Sequence, residues 1–100
     1  MSETAYYILL SLMEVRHGYG IMQDVGELTD GRIQLGAGTV YGSLSRMEKD
    51  GLITVVLEEN RRKSYLITDN GKRVLKQEII RIKELYHNTS KVEGKLDGFE

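Results

Sequence analysis

Two short runs rich in β-branched residues, Leu52 to Leu57 (LITVVL) and Ser64 to Thr68 (SYLIT), stand six residues apart in a chain whose longer patterned segments repeat with a helical period. With the polar, charged stretch Glu58 to Lys63 between them, they read as the two strands of an antiparallel hairpin. A single hairpin set among helices makes the fold class α+β, mainly α. The chain has no proline, so its helices and strands keep every backbone donor.

The first helical segment is residues 5 to 15, AYYILLSLMEV, apolar around most of its circumference and preceded by Ser2 or Thr4 as a cap. Gly18 and Gly20 interrupt it. A second helix is expected from Tyr19 to Leu28, with Ile21, Val25 and Leu28 on one face, ended by Thr29-Asp30-Gly31. Arg32 to Leu35 alternates polar and apolar and reads as one short strand. From Gly38 to Lys49 the helical period returns. Val40, Leu44 and Met47 form a buried stripe, Ser43, Arg46 and Lys49 a polar face, and Asp50-Gly51 the stop. After the hairpin, Thr68 or Asp69 caps a last helix that should reach Tyr86, with Gly71 weakening its first turn. Its stripe of Leu75, Ile79, Ile82 and Tyr86, widened by Ile80 and Leu85, exceeds what a lone hairpin needs. Residues 88 to 100 turn polar without a sustained period and are expected to be a flexible tail, with at most one turn around Val92 to Leu96.

One hundred residues fit one compact domain, and a chain this short gains from a partner subunit that completes its core. The absence of cysteine removes disulfides, thiolate metal sites and thiol redox chemistry. No stretch approaches a membrane span and the N-terminus lacks the pattern of a signal peptide, so a cytoplasmic location without a membrane partner is expected. The formal net charge is −1, but it is unevenly spread. Residues 1 to 31 hold five carboxylates against Arg16, whereas residues 60 to 76 hold six cations against Asp69. Such polarity lets one face meet phosphates while the total stays near zero.

Helix, helix, short strand, helix, hairpin and long helix is the order of a winged helix-turn-helix with a C-terminal helix. In that arrangement the third helix is offered to duplex DNA. Small residues at its start allow close approach, and its free N–H groups and dipole favour phosphate. Thr39, Tyr41, Gly42, Ser43 and Arg46 are the candidate contacts on this helix, through backbone, hydroxyl or guanidinium groups. Arg61, Arg62 and Lys63 at the hairpin tip are the candidate wing contacts, suited to flanking phosphates or a narrow minor groove. Residues 1–68 would then be the DNA-binding domain, 69–87 a dimerisation helix and 88–100 the tail.

Four motifs carry a family resemblance. They are His17-Gly18-Tyr19-Gly20-Ile21, Gly38-Thr39-Val40-Tyr41, Leu44-Ser45-Arg46-Met47-Glu48-Lys49-Asp50-Gly51-Leu52-Ile53, and Arg62-Lys63-Ser64-Tyr65-Leu66-Ile67-Thr68-Asp69-Asn70-Gly71. Together, over residues 5 to 86, they resemble the PadR family of transcriptional regulators. Gly42 departs from that pattern, which usually has proline after the tyrosine, and so loosens the start of the recognition helix. The resemblance implies a bacterial homodimer that represses transcription from an inverted repeat. It further implies that the last helix packs with the first helix of the partner subunit, giving Leu9, Leu75, Ile79, Ile82 and Tyr86 as interface residues. Some members sense flat hydrophobic or aromatic effectors at the dimer centre, where Tyr6, Tyr7, Met13 and Tyr86 could form a pocket here.

Catalysis is not expected. The serines and threonines lie in helical or strand contexts, and neither His17 nor His87 sits in a recognisable base arrangement. His17, next to Gly18, reads as a structural or capping side chain. No metal or cofactor motif is present. The rival to DNA binding is a winged-helix module that docks proteins only, which a net charge near zero allows.

Overall fold

The computed structural model describes all 100 residues. Helix α1 spans Glu3–Ser11, strand β1 Arg16–His17, α2 Gly18–Leu28, α3 Ala37–Lys49, β2 Ile53–Glu59, β3 Arg62–Ile67 and α4 Asp69–Glu93, followed by a 3-10 turn at Gly94–Leu96. The three strands form one antiparallel sheet in the order β1-β3-β2. Helices α1, α2 and α3 gather against one side of it around Ile8, Leu9, Leu12, Ile21, Val25, Val40, Leu44, Met47, Ile53, Tyr65, Ile67 and Leu75.

Local chemistry sets most boundaries. Ser2 starts α1 by accepting the Ala5 N–H at 3.1 Å, and Thr68 starts α4 by accepting the Gly71 N–H at 3.0 Å. His17 does the same for α2 through ring Nδ1, which accepts the Gly20 N–H at 3.1 Å. Helix α3 ends at a Schellman closure: Gly51 takes φ 76°, its N–H donates to Glu48 and the Leu52 N–H donates to Met47. Gly71 has a reason that propensity does not supply. A Cβ there would lie 2.1 Å from the Leu52 carbonyl oxygen, so only glycine lets α4 start against β2.

Several expectations are corrected. Helix α1 stops at Ser11 rather than residue 15, leaving Met13 and Val15 exposed in the link to β1. Leu28 is also exposed, so the buried face of α2 ends at Val25. Arg32 to Leu35 forms no strand. The free edge of β3 is taken by Arg16 and His17, in register with Tyr65 and Ser64, and Ile33 and Leu35 pack on the core from a loop. The hairpin is longer than its apolar runs, because Glu58, Glu59, Arg62 and Lys63 also pair and only Asn60-Arg61 is left as the turn. A bulge at Val56 breaks the register between Val55 and Leu57. Finally, the expected tail from 88 to 100 is helical as far as Glu93. Polar residues do not end a helix when none of them is a breaker, and Ser90 back-bonds its Oγ to the Tyr86 carbonyl at 2.9 Å.

Candidate nucleic-acid interface

Helix α3 buries Val40, Ser43, Leu44 and Met47 and turns the opposite face outward. Gly38, Gly42, Ser45 and Lys49, spaced i, i+4, i+7 and i+11, run along that outer face. Three of the four are glycine or serine, so a partner can come close to the backbone, and Lys49 supplies a charge at the far end. Gly36 at the N-cap leaves the first turn without a side-chain cap. The N–H groups there remain available to a ligand. The helix is continuous through Gly42, and a Cβ at that position would meet only Arg46 Nη1 at 3.7 Å. The looser start expected from the missing proline is therefore not seen.

Ser43 is corrected. It is only 4% exposed and faces the N-terminus of α1, where Met1 and Ala5 lie, so it cannot reach a duplex. Its Oγ instead accepts from Arg46 Nη2 at 3.4 Å, which holds the exposed guanidinium to the α1 side of α3. Thr39 and Arg46 flank the outer face on that side, and Tyr41 flanks it on the other. Tyr41 is fixed by a close fit. Its hydroxyl lies over Gly18, where any Cβ would fall 2.6 Å from it. Ser45 was missed by the sequence reading. The spacing from Gly38 through Gly42 to Lys49, opposite the apolar stripe, was the signal that identifies it.

The hairpin stands beside Tyr41. A cleft of about 390 Å³ between them is lined by Tyr41, Asn60, Arg61, Arg62, Lys63 and Tyr65, so the hairpin cations and the α3 tyrosine share one surface. The two-residue turn has both members left-handed, Asn60 at φ 51° and Arg61 at φ 65°. That is the type I′ hairpin, which favours glycine at the second position, yet arginine is there. Burial pushes the Tyr65 phenol above its usual range, with the nearby Glu48 carboxylate, Tyr41 and Glu58 acting in the same direction.

The residues expected at a subunit interface divide. Leu9 is wholly buried and Leu75 4% exposed, both within this chain's own core, so neither can face a partner; this corrects their assignment. Ile79 is half-buried against the same core. Beyond it, Ile82, Leu85, Tyr86 and Val92 are exposed on the projecting end of α4, with Tyr86 at 73%. The expected effector residues divide too. Tyr6 and Tyr7, edge-on at 5.7 Å, line a groove of about 440 Å³ between α1 and α4 together with Glu78, Arg81 and Ile82, whereas Met13 and Tyr86 lie outside it. Glu78 and Arg81 are hydrogen-bonded to each other, which holds the carboxyl below its usual range and raises the guanidinium. No helix is long and apolar enough to cross a membrane, and no group of histidine, cysteine and carboxylate side chains is arranged to hold a metal.

Comparison with known proteins agrees with this geometry. A transcriptional regulator from Clostridium thermocellum superposes with a TM-score of 0.71 at 30% identity, over 93% of this chain and 91% of its own. Bacillus subtilis PadR, solved in complex with operator DNA, superposes with a TM-score of 0.66 at 25% identity, over 79% of this chain and 49% of its own. An uncharacterised 37.1 kDa protein of a Streptomyces fradiae transposon is 32% identical over 62 residues, and the chain spans 17% of the length of that curated relative. The model of the transcriptional regulator PadR-like family matches residues 8–77. The chain therefore has the winged-helix fold and belongs to the PadR-like family, whose members are transcriptional regulators and not enzymes.

Proposed function

We propose that this chain represses transcription by binding an inverted repeat in duplex DNA as a homodimer in the bacterial cytoplasm. The observation that carries the reading is the single surface made by the outer face of α3 and the cationic hairpin, joined across the cleft at Tyr41. The outer face of α3 lies in the major groove, with Ser45, Lys49 and Tyr41 placed to meet base edges or phosphates. Thr39 and Arg46 meet the flank of the groove, and Gly42 lets the backbone approach. Arg61, Arg62 and Lys63 engage the neighbouring phosphates or minor groove.

The exposed apolar side chains on the far part of α4 support the second half of the reading, pairing of two subunits through this helix. Ile82, Leu85, Tyr86 and Val92 continue an apolar line past the point where the chain's own core ends. Two such helices packed together set two copies of α3 at successive major grooves, about 34 Å apart. The groove holding Tyr6 and Tyr7 also lies against α4, so a hydrophobic or aromatic effector bound there would shift α4 and hence the spacing of the two α3 helices.

The test is titration of fragmented genomic DNA over a range of salt, followed by selection of preferred duplexes from a random pool. Affinity should fall steeply with salt and the selected sites should be two-fold symmetric. Salt-independent binding, or none, would overturn the reading in favour of a module that docks proteins only.

A further inference from the structure

The hairpin meets the start of α2 at a second place, on the far side of β3 from the α3 cleft. Because β1 pairs with β3, His17 lies opposite Ser64 and next to the wing. Its Nδ1 accepts the Gly20 N–H as the cap of α2. A ring nitrogen that accepts carries no proton, so the ring hydrogen is on Nε2. Nε2 lies 3.5 Å from Arg62 Nη1. A guanidinium only donates, so this contact brings together two N–H donors that cannot bond to each other. The Tyr19 ring lies nearly parallel to the imidazole, with centroids 6.4 Å apart and planes at 16°. Both side chains line a cleft of about 410 Å³ whose walls include Asn60, Ser64 and Glu59.

We infer that His17 and Arg62 jointly hold one oxygen of a DNA backbone phosphate. An oxygen placed between donors 3.5 Å apart reaches each at an ordinary hydrogen-bond distance of about 2.9 Å. Glu59 on the same cleft opposes a free anion. The site therefore needs a phosphate presented by a duplex already held at α3 and the wing, and the inference rests on the DNA-binding reading above. It gives His17 two roles from one ring: Nδ1 starts α2, and Nε2–H carries the contact. Backbone contacts of this kind set register and do not read sequence.

His17→Asn separates the two roles, since asparagine is among the strongest helix caps and lacks the outward N–H. The melting temperature should hold while DNA affinity drops roughly ten- to a hundredfold, the loss of one hydrogen bond to a charged group. The drop should be equal on selected and random sequences. The salt slope should not change, because a neutral donor releases no counterion, whereas Arg62→Ala should flatten it. Adding Arg62→Ala to His17→Asn should cost less than the product of the two single losses. A scan of single methylphosphonate linkages should find one that weakens the wild type more than it weakens His17→Asn and leaves the double variant His17→Asn/Arg62→Ala unaffected. If His17→Asn melts early, His17→Ser replaces it as a second cap-competent variant. Wild-type binding matched by either variant, with no such linkage, overturns the assignment of His17 and leaves the DNA-binding reading standing. Absence of wild-type binding overturns both.

Discussion

Helices α3 and α4 carry the same kind of apolar stripe and use it in opposite ways. Helix α3 spends its stripe on the chain's own core, so that Val40, Leu44 and Met47 vanish from the surface and the polar face is left to a ligand. Helix α4 buries only Gly71 and Leu75 and carries the remainder of its stripe into solvent. At 25 residues it is roughly 37 Å long, against an overall extent of 56 Å for the molecule. The periodicity of a helix thus says that one face is apolar. It does not say whose surface that face will cover, and here the answer separates a helix closed on its own core from one that runs past it.

That contrast can be broken most directly with one leucine from each helix. Leu44→Ala should cost about 3 kcal/mol in urea unfolding at any protein concentration, since it opens a cavity in a closed core. Leu85→Ala should change unfolding by less than about 0.5 kcal/mol in dilute solution, with a cost that grows as the protein is concentrated. Equal, concentration-independent costs for the two would erase the distinction between the helices.

A smaller effect probes the outward face of α3. Gly42→Ala meets only ordinary contacts, so it should raise thermal stability by about 1 kcal/mol, the helix propensity gained over glycine. DNA affinity should fall in the same variant, because a methyl group is added where the backbone approaches the duplex. A tighter complex would show that Gly42 does not lie against the groove.

At the wing, Arg61→Gly relieves a left-handed conformation at φ 65° and should stabilise the hairpin by up to about 1 kcal/mol, read by thermal melting. The same change should flatten the salt dependence of DNA binding by about one counterion. Arginine at a position that prefers glycine gives up local stability for a cation at the turn, where the proposed function uses it for phosphate contact. Unchanged salt dependence would remove that interpretation.

The smallest effect appears only in alkali. The Tyr65 phenol is raised above its ordinary range, chiefly by burial, so the folded chain holds that proton more tightly than the unfolded chain does. The associated stability is fully present below the ordinary phenol value of about 10 and is lost as the pH rises through the raised value. Tyr65→Phe should therefore unfold with a flatter pH profile above that point, checked by urea midpoints across the range.

The features legible from sequence are those set by neighbours within one turn. The caps, placed at Ser2 or Thr4 and at Thr68 or Asp69, the stop at Gly51, the hairpin and the buried stripe of α3 all follow from short-range spacing. The misreadings have a common cause. Ser43 sits at the edge of a polar arc, and only the N-terminus of α1 lying across that edge makes it buried and leaves Ser45 as the outward serine. Strand β1 has two residues, too few for any alternation, and exists because β3 offers it an edge. Leu9 and Leu75 belong to stripes that pass from the core to the surface, and sequence does not mark where the core ends.

By itself, then, the sequence determined the order of the four helices and the hairpin, the amphipathic identity of α3 and the cations of the hairpin tip. Local propensity, capping and periodicity act within a few residues and need no tertiary context. Tertiary structure alone decided which part of each stripe stays outside, that the Tyr41 hydroxyl lies over Gly18, and that His17 and Arg62 come within 3.5 Å across 45 residues of chain. These depend on how separate elements dock. Docking is governed by the summed fit of many side chains, and no single segment encodes it.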